Sequence, residues 1–129
     1  MKTPYKPDSY SSVSPYLIVD GADSTIGFLV EVFGATKLRR ILSASGKVMH
    51  AEVRIDDTVI MLTDEVPPAW LSVPSHVHVY VGDVDATYKK AIAAGSLSIQ
   101  EPIKRGDENR RAAVKDPRGI TWWISTKVE

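Results

Sequence analysis

The stretch that decides the fold is Ser75–Gly95, SHVHVYVGDVDATYKKAIAAG. Its first residues alternate, so His76, His78 and Tyr80 fall on one face of a predicted strand and valines fall on the other. The rest of the stretch predicts a helix that ends at the glycine. The strand therefore has an apolar face that a helix can cover. Its polar and aromatic face is the predicted wall of a binding cavity.

The same pattern occurs earlier in the chain. An offset of 76 − 14 = 62 residues sets Ser14 on His76, and the same offset sets Met61 on Trp123. Each copy predicts the element order β-α-β-β-β. One such unit is too small to bury its own sheet, so two units, from one chain or exchanged between chains, are expected to curve into a shared cleft.

The predicted elements follow from apolar spacing and breaker residues. The predicted strands are Val13–Asp20, Thr36–Leu42, Lys47–Ile55, Thr58–Thr63, His76–Val81, Leu97–Pro102, Arg110–Lys115 and Ile120–Thr126. Asp23 or Ser24 is the predicted cap of the first helix, and Asp83 or Asp85 that of the second.

These elements predict an α+β fold of two tandem β-α-β-β-β units. We expect a curved mixed sheet around a cleft, with the helices on the convex face. The predicted divisions are a flexible N-terminal tail over 1–12, a first unit over 13–65, a Pro-rich linker over 66–74 and a second unit over 75–129. All of them belong to one domain.

Composition excludes several functional classes. The 129 residues carry 16 basic and 16 acidic side chains, so the surface offers no long-range attraction to nucleic acid or to an anionic membrane. The chain has no cysteine, which excludes disulfides, thiolate nucleophiles and cysteine-based zinc sites. It has neither a bilayer-length apolar run nor a signal peptide pattern. We therefore expect a cytoplasmic protein.

Four segments carry a family resemblance: PYLIVDGADSTIGFLVEVFGA, HAEVRIDDTVIMLTDE, HVHVYVGDVDATYKKAIAAG and KDPRGITWWI. In this order they resemble the vicinal oxygen chelate superfamily of glyoxalase I, extradiol dioxygenases and bleomycin resistance proteins. They are most similar to its small bacterial glyoxalase-like branch of unassigned function. The resemblance covers residues 13–127. It implies the fold above and a homodimer that exchanges units, with the cleft at or near the interface.

The resemblance also implies where metal-dependent members hold their ion. The four ligand positions correspond to Ser14, Met61, His76 and Trp123, and of these only His76 suits a hard or borderline divalent metal. No cofactor is therefore predicted. If a metal (Zn, Ni, Mn or Fe) is used, His76 would hold it with further ligands such as His78 or His50.

Strand alternation then predicts the side chains that line the cleft. The candidate ligand-binding residues are Ser14, Tyr16, Met61, His76, His78, Tyr80, Thr121 and Trp123. Their mixed aromatic and polar character is typical of a small-molecule pocket. Trp123 is also interpretable as core filler. His50 would point into the same cleft or be a solvated strand residue, and the second interpretation is favoured.

Two charged or aromatic groups have alternative interpretations. Arg110 and Arg111 are most simply a solvated charge cluster, and alternatively one of them reaches the cleft mouth to bind a carboxylate or phosphate. Trp70, in the Pro-rich linker, is either part of a lid or packed against a sheet edge.

The leading functional prediction is a metal-independent protein that binds a small aromatic or planar molecule, either an antibiotic or a metabolite. The alternative is a metal-dependent glyoxalase-like lyase or isomerase, or a dioxygenase, that uses His76. A structural dimerisation module is a third class, but it would leave the polar-aromatic face unexplained. No catalytic residue is assigned.

Overall fold

The computed structural model describes residues 4–129, so residues 1–3 of the predicted tail lie outside the described residues. Ten elements follow in chain order: β1 (Tyr16–Val19), α1 (Ala22–Phe33), β2 (Thr36–Leu42), β3 (Val48–Ile55), β4 (Thr58–Asp64), β5 (Ser75–Tyr80), α2 (Val84–Ala93), β6 (Leu97–Lys104), β7 (Asn109–Lys115) and β8 (Ile120–Lys127). The order β-α-β-β-β is therefore present twice, as the repeat predicts.

The strands form two four-stranded mixed sheets, in the orders β1-β4-β3-β2 and β5-β8-β7-β6. In each sheet the first strand pairs in parallel with the fourth, and the other pairs are antiparallel. The α+β fold of two tandem units is confirmed. The single curved sheet of the prediction is, within one chain, two sheets in which β1 and β5 are edge strands.

The first strand is shorter than predicted. It begins at Tyr16 rather than Val13, because Pro15 has no N–H to give to the ladder. Conversely, β6 extends to Lys104, past the predicted end at Pro102. Proline is tolerated there because β6 is an edge strand with one side free of ladder hydrogen bonds.

The prediction of the α1 cap was wrong. Instead of Asp23 or Ser24, the residue before the helix is Gly21, whose φ of 116° needs a residue without a Cβ. The carboxylate of Asp64, at the end of β4, accepts from the backbone N–H groups of Gly21 and Ala22 at 3.2 and 2.7 Å. A residue distant in sequence thus caps this helix.

The cap of α2 lies where the sequence predicts it. Asp83 accepts from the backbone N–H of Ala86 at 3.1 Å. The other candidate, Asp85, forms a two-pronged ion pair with Arg110, with both N–O distances at 2.9 Å. Arg110 is therefore an ion-pair partner of the second helix.

One apolar core joins the two units. The helices contact each other, and the Phe33 ring of α1 lies 5.4 Å from the fully buried Trp122 ring of β8. The Trp122 indole N–H donates to the buried carboxylate of Asp116 at 2.8 Å. Val77 and Val79 pack on this core, as alternation predicts. The polar-aromatic faces of both sheets therefore point away from it.

The N-terminal segment and the linker lie outside the two sheets. Residues 4–15 form no helix or strand, but the carbonyl of Ser9 accepts from the Arg54 side chain at 3.1 Å. In the linker, Val66 and Trp70 exchange two backbone hydrogen bonds. Trp70 is 58% exposed, so it is not buried against a sheet edge. Neither helix among the described residues is long and apolar enough to cross a membrane.

Candidate functional site

The outer face of the second sheet carries an aromatic pair formed by His76 and Trp123. The Trp123 indole N–H donates to Nδ1 of His76 at 2.9 Å, and the two rings are stacked with centroids 6.2 Å apart. Trp123 is half-buried, whereas Trp122 beside it fills the core. Among residues 4–129, no hydrogen bond is made to Nε2, the other nitrogen of the exposed His76 ring.

His78, the next residue on this face, bonds to a buried hydroxyl. Arg111 donates through Nε to Oγ of Ser125 at 3.0 Å, and Ser125 lies 2.9 Å from Nε2 of His78. Because Ser125 accepts from Arg111, its own hydrogen is free to be donated to the imidazole. Partial desolvation of this otherwise exposed ring lowers the pKa of His78 below its usual value, and the positive charge of Arg111 adds to this effect. The neutral imidazole is therefore favoured.

Tyr80 and Thr121 complete this face. The Tyr80 ring lies 4.7 Å from that of His78 in an edge arrangement, and its hydroxyl accepts from the Asn109 side chain at 3.2 Å. Tyr80 is 60% exposed. Thr121 lies opposite His76 in the strand register but is buried. The exposed wall is thus made mostly of aromatic rings.

The first sheet brings together the remaining predicted residues. Tyr16 lies opposite Met61, and Met61 lies opposite Glu52, so these three side chains form a row across neighbouring strands. Tyr16 is 52% exposed. Ser14 precedes β1, and its hydroxyl lies 3.1 Å from that of Ser11.

A hydrogen-bonded chain on this first face was missed by the sequence analysis. The Tyr16 hydroxyl lies 3.1 Å from Nδ1 of His50, and Nε2 of His50 lies 2.7 Å from the carboxylate of Glu52. The other carboxylate oxygen accepts from the Tyr10 hydroxyl. The favoured interpretation of His50 as a solvated strand residue was wrong, since its side chain is 23% exposed and bonded at both nitrogens.

Electrostatics keep Glu52 ionised in this chain. Burial acts to raise its pKa, but the hydrogen bonds from Tyr10 and His50 and the charge of Arg39 outweigh burial and leave the pKa below its usual value. The same contact raises the pKa of Tyr10, because its proton is held by the carboxylate. A buried carboxylate, an imidazole and two phenols therefore form one polar network.

Strand alternation could have found His50 and Glu52. In β3, His50, Glu52 and Arg54 alternate with Ala51, Val53 and Ile55, in the same way as the two histidines and Tyr80 alternate with valines in β5. Glu52 was not singled out because an acidic residue in a strand usually faces solvent. The contribution of Tyr10 has no local sequence signal.

The same face position holds different residues in the two sheets. Met61 lies opposite Glu52, and its repeat partner Trp123 lies opposite Ala113. The strand register shows that the β7–β8 turn is longer than the β3–β4 turn: Lys115 pairs with Thr121, whereas Ile55 pairs with Thr58. The first face therefore carries an acid–base network, and the second carries aromatic rings.

The two faces are not joined directly within one chain. No hydrogen bond or ring contact among residues 4–129 links His76 or Trp123 to Ser14 or Met61. A cavity of about 300 Å³ does lie between the units, where β5 passes the start of β4. Its lining residues include Pro15, Thr58, His78 and Tyr80. Within the described part of the chain, no three histidine, aspartate or glutamate side chains are grouped to hold a metal ion.

Solved structures resemble this fold closely. TioX from Micromonospora sp. ML1 superposes with a TM-score of 0.75 at 26% identity, over 91% of this chain and 98% of that one. The fosfomycin resistance protein FosX from Listeria monocytogenes superposes with a TM-score of 0.68 at 17% identity, over 90% of each chain. At that identity the likeness to FosX concerns the fold alone.

Sequence comparison gives the family. An uncharacterized protein of Mycobacterium bovis is 35% identical in an alignment 127 positions long that covers 91% of this chain and 84% of the relative. An uncharacterized protein of Mycobacterium tuberculosis matches at the same identity, over 75% of its own length. The family model for the Glyoxalase/Bleomycin resistance protein/Dioxygenase superfamily matches residues 11–124. The chain is therefore a member of the glyoxalase/bleomycin resistance protein/dioxygenase superfamily.

Proposed function

We propose that this protein binds a small planar or aromatic molecule against the exposed face of its second sheet, without a bound metal. The observation that carries the proposal is the row of rings formed by Trp123, His76, His78 and Tyr80 on the face opposite the core. Contact between exposed aromatic rings and water is unfavourable. A flat ligand that covers the rings removes this contact, which favours binding.

The polar atoms of this wall are few and fixed, which suits recognition of a small molecule. Nδ1 of His76 and Nε2 of His78 are already bonded inside the sheet, so each ring presents its other nitrogen to a ligand. Arg111 is held by Ser125 and by Asp107, which lies 3.3 Å from its guanidinium. The wall therefore offers flat apolar surface with directed hydrogen-bonding groups.

The side chains at the family's metal positions do not fit a divalent ion. The hydroxyl of Ser14 is bonded to Ser11, Met61 offers a thioether, and Trp123 uses its N–H to bond His76. One nitrogen of His76 is thus the single ligand suited to such an ion, whereas zinc sites use three or four protein ligands. A FosX structure from Listeria monocytogenes is described as a complex with Mn(II), but this donor set does not support the same role here.

We further propose that two copies form a symmetric dimer and that each cleft lies between the first face of one copy and the second face of the other. The support is that β1 and β5 each present an unpaired edge and that Tyr16 and Tyr80, on these two strands, are 52% and 60% exposed. Unpaired edges and exposed rings favour association with a second chain. An exchange between equivalent units satisfies both copies at once.

The test of ligand binding uses the quenching of tryptophan fluorescence by a library of planar compounds. The chain has three tryptophans, so the Trp70→Phe variant serves as the starting protein and leaves Trp122 and Trp123 as emitters. We expect saturable quenching, and we expect it to be unchanged after the protein has been dialysed against a chelator. Trp123→Ala is expected to weaken binding about threefold to tenfold, the equivalent of one aromatic contact.

Two results would contradict the proposal. One is stoichiometric metal that remains after dialysis and is needed for binding. The other is unchanged affinity in both Trp123→Ala and His76→Ala, measured by calorimetry because Trp123→Ala also removes an emitter. Circular dichroism checks the folding of each variant.

A further inference from the structure

We propose that Tyr16, His50 and Glu52 form a proton-accepting relay, so that the first face binds a planar ligand with an acidic hydroxyl, such as a phenol or an enol, as its anion. This inference rests on the proposed function, since it assumes that the first face lines the cleft. It adds that the relay takes up a proton from the ligand and that the ligand carries an acidic hydroxyl.

The direction of the relay follows from its hydrogen bonds. Glu52 is an ionised, buried carboxylate, so it accepts on both oxygens, from the Tyr10 hydroxyl and from Nε2–H of His50. With its proton on Nε2, the neutral imidazole has its lone pair on Nδ1, 3.1 Å from the Tyr16 hydroxyl. Tyr16 therefore donates to His50, and its oxygen lone pairs are free to accept from a ligand.

The proton transfer balances without any further reactant. The ligand O–H bond breaks as its proton passes to the Tyr16 oxygen, and the Tyr16 proton passes to Nδ1 of His50. The products are a ligand anion that accepts from the Tyr16 hydroxyl and an imidazolium that lies against the Glu52 carboxylate. The nearby negative charge stabilises the imidazolium, as a carboxylate does for histidine in proton-transfer sites.

The surroundings of the relay fit this role. Tyr16 is 52% exposed and lies beside Met61, so the outer end of the relay meets solvent next to an apolar side chain. Glu52, its inner end, is covered by Tyr10. The charge of Arg39 favours the ionised carboxylate of Glu52, and the charges of Arg39 and Arg54 act to lower the pKa of Tyr10, against the larger effect of Glu52.

The test compares two coloured probes, 4-nitrophenol and 4-nitroanisole. The first has a hydroxyl that ionises near neutral pH and gives a yellow anion, and the second has a methyl ether in its place. With the wild-type protein, we expect a tenfold or larger rise in the anion-to-phenol ratio of bound 4-nitrophenol at a fixed, slightly acidic pH. The rise is expected to be lost in His50→Gln and in Tyr16→Phe.

Tyr88→Phe is the matched control. It removes a hydroxyl that bonds to Ser98 at 2.6 Å, between α2 and β6, away from this face. It should leave the spectrum of bound 4-nitrophenol as in the wild type. Tyr16→Phe alters an exposed hydroxyl, so it keeps the test valid even if His50→Gln fails to fold.

The outcomes separate this inference from the proposed function. Binding of both probes with no increase in the anion, or an increase that persists in both variants, would overturn the relay and leave planar binding intact. If neither probe quenches tryptophan fluorescence and the protein binds no other planar compound, both the relay and the proposed function are overturned. Loss of the increase in both variants, with 4-nitroanisole binding retained, supports the relay.

Discussion

At the scale of single residues, His78 links the stability of the second sheet to pH. Its pKa is lowered by partial desolvation and by Arg111, so in the folded chain the imidazole takes up a proton at a lower pH than in the unfolded chain. This group has little effect on stability well above about pH 6.5, where the imidazole is neutral in both states. Stability falls as the pH drops below that value, until the folded state is protonated as well.

The variant His78→Gln tests this coupling, since its amide still accepts from Ser125 but does not titrate. We expect the difference in unfolding free energy between wild type and variant to shrink from pH 7.5 to pH 5.5. Only the wild type has an imidazole whose protonation is less favourable in the folded than in the unfolded state. Urea denaturation at the two pH values measures it. A difference that stays constant or grows would show that His78 is not held neutral.

At the scale of elements, the two helices begin in different ways. Asp83 caps α2 locally, whereas Asp64 caps α1 from 42 residues away and also accepts from the Val48 N–H at 2.8 Å. Asp64 therefore fixes β4, α1 and the start of β3 relative to one another. Its loss would leave three backbone donors without an acceptor.

Alanine substitutions compare the two caps. Asp83→Ala is expected to cost about 1 kcal/mol of unfolding free energy, the usual value of a helix cap. Asp64→Ala is expected to cost more, about 1–3 kcal/mol, the cost of leaving a buried donor unsatisfied. Chemical denaturation measures both. An Asp64→Ala protein as stable as Asp83→Ala would contradict the shared-acceptor role.

The elements also show what sequence could and could not predict. The face of His78 was predictable from the period-two alternation in residues 76–80. The second helix cap was predictable because an aspartate directly precedes the helix. The cap by Asp64 was not, because it joins residues far apart in the chain. The bond between Tyr10 and Glu52 was equally out of reach, since it spans 42 residues and involves a segment that has no periodic pattern.

At the scale of the whole molecule, the dimer proposal predicts that damage to opposite faces can be complemented. Tyr16→Ala harms the first face and Trp123→Ala harms the second. If each cleft combines faces from two copies, a mixed dimer has one intact cleft and one doubly damaged cleft. With random exchange of subunits, about a quarter of all clefts would regain full affinity.

Calorimetry on the two variants, separately and after mixing, measures this recovery. Sedimentation equilibrium of the wild type should give twice the chain mass of 14.2 kDa. Each variant alone is the control, since neither contains an intact cleft. A mixture that binds no better than its parts, or a protein that sediments as a single chain, would contradict the shared cleft.

In the proposed dimer, the unlike opposing residues of the repeat, Glu52 beside Met61 and Ala113 beside Trp123, would give the two walls of each cleft different chemistry. A ligand between these walls would contact a hydrogen-bonding surface on one side and a flat, aromatic surface on the other. A molecule with two identical ends would match only one of the two surfaces. The proposed cleft would therefore favour an asymmetric ligand, with a flat ring at one end and an ionisable group at the other, bound in a single orientation.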